Sequence, residues 1–140
     1  MREVEAAKID IRCIKSAPLE DLKELYRQAN WLDDRDSTDF LARVVQNSAI
    51  FVGAFHEKKL IGMGRALSDL TSDAYIQDVV VLKNLRDKGI GRRIIQMLVE
   101  KLKRNVDWIG LVAEPGSVSF YKDLGFQVLK DHVPLKYEGK

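Results

Sequence analysis

At 140 residues, 46% hydrophobic and 31% charged, the chain has the make-up of one globular domain spanning residues 1–140. A single cysteine, two isolated histidines and no long apolar run set aside a disulfide scaffold, a Cys/His metal site and a bilayer-spanning helix of roughly 20 residues. The net charge of +2 is too small to argue for nucleic acid, and Met1 to Asp10 lacks an apolar signal stretch, so the expectation is a cytoplasmic protein with neither nucleic-acid nor membrane partner.

Ile9, Ile11 and Cys13 alternate with polar residues and read as a first strand. Pro18 suits the first turn of a helix, with Ser16 as its cap and Leu19, Leu22, Leu25 and Tyr26 at helical spacing. A second short helix is expected over Ser37 to Gln46, with Phe40, Leu41, Val44 and Val45 on its apolar side. Ala49 to Phe55 is rich in β-branched and aromatic residues, His56 to Lys59 is a polar tip, and Leu60 to Leu67 returns as the other half of a hairpin. After a turn near Ser68 to Asp73, Ala74 to Leu82 reads as a central strand.

Gly91 to Arg104 places Ile94, Ile95, Leu98 and Leu102 on one helical face. Trp108 to Ala113 is a further strand, and Ser117 to Leu124 a short helix closed by Gly125. Gln127 to Lys130 and Val133 to Tyr137 read as terminal strands. The order predicts a mixed α/β (α+β) fold around one sheet.

The run Asp78-Val-Val-Val-Leu-Lys-Asn-Leu-Arg-Asp-Lys-Gly-Ile-Gly-Arg-Arg93 joins the central strand to the long helix. Its two glycines permit tight backbone angles and close approach of a ligand to the main chain. First-turn amides of a helix lack internal acceptors, and the helix dipole adds positive potential there, so such a turn suits phosphate. Lys83, Arg86, Lys88, Arg92 and Arg93 add charge of the same sign. A glycine pair and surface charges alone would equally describe an ordinary solvated turn. The run has neither the Gly-Lys-Ser/Thr ending of a Walker loop nor the third glycine of a dinucleotide fingerprint.

With Arg86-Asp87-Lys88-Gly89-Ile90-Gly91 the chain resembles the GNAT superfamily of N-acetyltransferases, whose hallmark is Arg/Gln-x-x-Gly-x-Gly/Ala. A second stretch is similar to the same family: Trp108 to Ala113 followed by Ser119-Phe-Tyr-Lys-Asp-Leu-Gly-Phe126. The resemblance covers residues 49 to 137 best. It implies a central, mostly antiparallel sheet of about six to seven strands flanked by about four helices. It also implies acetyl-CoA as co-substrate and no metal. The amides of Arg86 to Arg92 would hold the pyrophosphate, and Val79, Val80 and Val81 would pair with the pantetheine arm.

The resemblance implies further roles. Tyr121 would be the acid that protonates the departing thiolate, while Phe120, Leu124 and Phe126 would pack. Where some relatives carry a base Glu the chain has Gln77, which takes no proton, so the nearest carboxylate, Asp78, is the candidate base or amine anchor, with Asp69 second. Strand alternation points Asp78 away from the face of Gln77 unless a bulge intervenes. The family's frequent Asn before the tyrosine is here Glu114. On the acceptor side, Trp31 beside Asp33 and Asp34 offers an aromatic and carboxylates to a cationic amine, or else covers the core. Arg65 would anchor an acidic substrate group or pair with an acid across the sheet. The expected reaction is acetyl transfer to a primary amine. A protein N-terminus or lysine is the alternative acceptor, and an acyl-CoA-binding module without turnover the alternative class. A homodimer through the C-terminal strands suits this architecture.

Overall fold

The computed structural model describes residue 5 and residues 8–139. Four strands follow the alternation and β-branched content of the sequence: β1 (Ile9–Cys13), β2 (Ile50–His56), β3 (Lys59–Ser68) and β4 (Asp73–Val81). The pairs β1–β2, β2–β3 and β3–β4 are antiparallel, and β5 (Trp108–Leu111) completes, among the described residues, a five-stranded sheet in the order β1-β2-β3-β4-β5. Four α-helices accompany them among the described residues: α1 (Leu19–Gln28), α2 (Asp39–Asn47), α3 (Ile90–Leu102) and α4 (Val118–Lys122). The chain divides into two compact units, Met1–Gly110 and Leu111–Lys140.

Within the first unit the helices lie on opposite faces of the sheet, as alternation along β3 shows. A Cβ built on Gly64 would stand 2.8 Å from Ile94 Cγ2 and 3.1 Å from Leu98 Cδ1, so α3 covers that face. Arg65, the next residue, reaches Ser48 at the end of α2 and shares the Asp78 carboxylate with Tyr26 of α1, so it points to the other face. Ile90, Ile94, Ile95, Leu98 and Leu102 of α3 are buried, as are Leu22, Leu25 and Tyr26 of α1 and Leu41 and Val45 of α2. Each large aliphatic buried this way contributes about 1.5–3 kcal/mol before entropy is counted.

The structure corrects three expectations. Ser16 does not cap α1: Pro18 occupies that position in an extended conformation and no side chain bonds the helix end. The strand after α3 stops at Leu111 rather than Ala113. Residues 127–130 and 133–137 are not strands, although their residues favour that conformation. Propensity measures fit to a pleated, half-buried surface. Here Asp131 turns the chain with φ +64°, Pro134 has no amide to donate, and Val133, Leu135 and Tyr137 stay exposed. The sheet therefore has five strands where the sequence reading implied six to seven.

Candidate active site

The end of β4 departs from a regular strand. Met63 faces Val80 and Arg65 faces Gln77, so Gly64 alone lies opposite the pair Asp78 and Val79. The extra residue is a β-bulge, and Asp78 adopts the left-handed conformation with φ +54°. In a regular strand the side chains of Gln77 and Asp78 would point to opposite faces. Here both meet Arg65: Arg65 Nε donates to Asp78 Oδ2 at 2.7 Å and Arg65 Nη2 to Gln77 Oε1 at 3.2 Å. Tyr26 Oη donates to the same Asp78 oxygen at 2.8 Å. The ion pair is largely shielded, with side-chain exposures of 14% for Arg65 and 23% for Asp78.

Burial, and then the negative charge of Asp78, push the Tyr26 phenol well above its ordinary range and keep it a donor. Its ring meets that of Trp31 edge to face, 5.2 Å between centroids, and Trp31 N donates to the Tyr26 carbonyl at 2.9 Å. Trp31 is itself 37% exposed. The structure thus brings three sequence candidates, Trp31, Arg65 and Asp78, into one connected group. Asp33 makes its hydrogen bonds outside that group. It accepts from the Arg35 backbone and guanidinium, which holds its carboxyl below the usual range. Asp69 is likewise absorbed by its own turn: the Ser72 hydroxyl, with the amides of Ser72 and Thr71, holds it far below the usual carboxylate range.

Beyond Val81 the chain makes a 3-10 turn over Lys83–Leu85 and then the glycine turn. Asp87 and Gly89 take left-handed angles of +63° and +81°, and Gly89 is the N-cap of α3. A Cβ on Gly89 would meet nothing within 4 Å, so the turn opens onto free space beside the helix N-terminus. This geometry fits the anion-binding role expected of residues 86–92: unpaired first-turn amides, positive dipole and room for a ligand. Arg86 Nε folds back to the Val81 carbonyl at 3.2 Å and ties the turn to β4, whereas Lys88 and Arg92 lie exposed. Gln28, at the end of α1, accepts from Lys83 N at 2.8 Å and donates to Glu24, fastening the start of the turn from the other side.

In the second unit, α4 ends at Lys122, short of the expected Leu124, and in the turn that follows Gly125 stands at φ +99°, with Gly125 N donating to Lys122 O and Phe126 N to Tyr121 O. Tyr121 lies edge-on to Phe120 and Phe126, with centroids 5.0 and 5.7 Å away. Burial first, and the Glu114 charge second, raise its phenol above the ordinary value.

Sequence reasoning missed Tyr26 and Gln28 as polar partners. Tyr26 sits at helical spacing with leucines, and nothing local links it to an aspartate 52 positions away. Gln28 offered no signal at all.

Comparison with known proteins gives the family and the fold. The model of the acetyltransferase (GNAT) family matches residues 16–126. A protein of Pyropia yezoensis described as an uncharacterized N-acetyltransferase, ycf52, is 32% identical over 129 residues, 89% of this chain and 73% of its own length. The histone acetyltransferase TAP1 of Glycine max is 34% identical over 76% of this chain, which spans about half (51%) of that relative. Among solved structures, a putative acetyltransferase from Deinococcus radiodurans superposes with a TM-score of 0.81 at 22% identity, covering 99% of this chain and 95% of its own.

Proposed function

The chain belongs to the acetyltransferase (GNAT) family, and on that premise we propose that it moves the acetyl group of acetyl-CoA to a primary amine by direct attack within a ternary complex. The observation that carries this reading is the open, left-handed Gly89 turn at the N-terminus of α3, directly downstream of the Asp78 bulge. Val79, Val80 and Val81 would pair with the pantetheine arm, and Arg86, Asp87, Lys88, Gly89, Ile90, Gly91 and Arg92 would hold the pyrophosphate. Acetyl-CoA is a co-substrate here, and the proposal has no metal-dependent step.

The neutral amine nitrogen forms a bond to the thioester carbonyl carbon, and the carbon–sulfur bond breaks. Holding both reactants in line supplies several kcal/mol of the barrier reduction. A backbone N–H at Val79 or Val80 is the proposed donor to the developing oxyanion. The ammonium proton leaves to a base, directly or through water, and the thiolate takes a proton from Tyr121. Tyr121 is supported by its place in the Phe-Tyr-x-x-x-Gly-Phe pattern and by a raised pKa that keeps the phenol protonated. Asp78 is proposed as base or amine anchor. Since Arg65 and Tyr26 already occupy Oδ2, anchoring is the role its geometry serves best.

The acceptor would lie against Trp31, whose ring is exposed while its edge rests on Tyr26. A cationic amine there gains cation–π attraction. Asp33 would contribute through its carboxylate, because the exposed pair with Arg35 is worth little and gives way. A small amine is the leading acceptor. The soybean relative's description as a histone acetyltransferase supports a protein lysine as the second reading. The proposed location is the cytoplasm. Alternating exposed Val133, Leu135 and Tyr137 (75, 92 and 84% exposed) support a homodimer through that segment.

An amine panel with spectrophotometric detection of released thiol tests the activity. Thiol release with a small amine supports the leading reading, and release only with a lysine-bearing peptide supports the second. Tight acetyl-CoA binding with no release from any acceptor leaves a binding module in place of an enzyme.

A further inference from the structure

We infer that Tyr26 and Arg65 are positioning residues that clamp the β4 bulge at Asp78 and thereby hold the Val79–Val80 backbone in the conformation acetyl transfer needs. This rests on the reading of that backbone as the oxyanion donor. The clamp and the bulge are one structural event. Only because β4 carries an extra residue can adjacent side chains, Gln77 and Asp78, both reach the Arg65 guanidinium. A regular register would instead set Asp78 opposite Gly64 and turn its carboxylate toward Ile94 and Leu98. Buried apolar surroundings oppose that placement. The bulge also asks a non-glycine residue to hold φ +54°, a conformation that persists when its surroundings over-determine it.

Two donors from different elements supply that determination, and both converge on Asp78 Oδ2: Tyr26 Oη at 2.8 Å from α1 and Arg65 Nε at 2.7 Å from β3. Tyr26 is only 5% exposed and is braced by Trp31, so its hydroxyl has little freedom to leave. The glycine turn is held by other contacts, those of Gln28 and Arg86. Loosening the clamp therefore alters the carbonyl site and spares the phosphate site.

The test uses the full chain and the variants Tyr26→Phe, Asp78→Asn and the double variant. Tyr26→Phe is expected to lower kcat about tenfold while the calorimetric Kd for coenzyme A changes less than about twofold. Because both substitutions act through one oxygen, the double variant should be about as slow as the slower single variant. Hydrogen exchange of the Val79 and Val80 amides, measured without substrate, should speed up in Tyr26→Phe while α3 amides keep their protection. An unchanged kcat with unchanged exchange would overturn the clamp while leaving acetyl transfer standing. Losses that multiply in the double variant, or coenzyme A binding that falls in step with kcat, would overturn it too. If the wild-type protein turns over no amine, the functional reading fails, and the exchange measurement still decides whether Tyr26 holds the bulge.

Discussion

Tyr26 and Tyr121 carry raised pKa values for related reasons: burial disfavours the phenolate, and a carboxylate nearby disfavours it further. The consequences differ. For Tyr26 the matter is stability. Its folded pKa lies above that of the unfolded chain, so its contribution is fully present below pH about 10 and is lost as pH rises through the folded value. Urea titrations of wild type and Tyr26→Phe should therefore differ most at neutral pH and converge at strongly alkaline pH. For Tyr121, the proposed acid, the matter would be turnover. An acid must be protonated, so the raised pKa extends its working range upward, and kcat should show no tyrosine-dependent fall below pH about 10. Tyr121→Phe should lower kcat by about 100-fold. A loss under threefold would return Tyr121 to a packing role beside Phe120 and Phe126.

At the scale of elements, α3 sits close to the sheet because Gly62 and Gly64 leave room for Ile94 and Leu98. Gly64→Val should cost about 1–3 kcal/mol, since its Cβ meets Ile94 Cγ2 at 2.8 Å in a filled core. Gly89→Ala meets no atom within 4 Å, and its cost of about 1–2 kcal/mol comes from φ +81° alone. Chemical denaturation that ranks the two the other way would mean that α3 yields more easily than the glycine turn.

The same elements show what could be read in advance. The β2–β3 hairpin and α3 were legible because their signals are local: β-branched runs around a polar tip, and apolar residues at 3.6 spacing. The glycine turn was legible because its spacing lies within six residues. The terminal strands were misread because β-propensity does not say whether a sheet edge is there to receive them. An Arg65 pair with an acid across the sheet and a bulge at Asp78 were both open readings of the sequence, whereas Tyr26 was hidden because it comes from a third element and sits in a regular helical pattern. Only Gln77, at the place where some relatives carry a base, hinted that Asp78 had a part to play.

For the molecule as a whole, the family model and the Pyropia relative give the GNAT family, and the solved structure gives the same fold. Within this chain the polar wiring links the elements: two donors fix Asp78, and Gln28 and Arg86 fasten the turn that follows it. The arrangement would separate the proposed carbonyl site at the bulge from the proposed phosphate site at Gly89, and each is testable alone. Acetyl-CoA binding depends on the second of these. Titration of the purified protein with acetyl-CoA by calorimetry, beside a Gly89→Trp variant that fills the open space with an indole, tests it most directly. The account predicts micromolar binding by the wild type that the variant loses while its unfolding transition stays cooperative. Undetectable binding by the wild type, or equal binding by both, would contradict it.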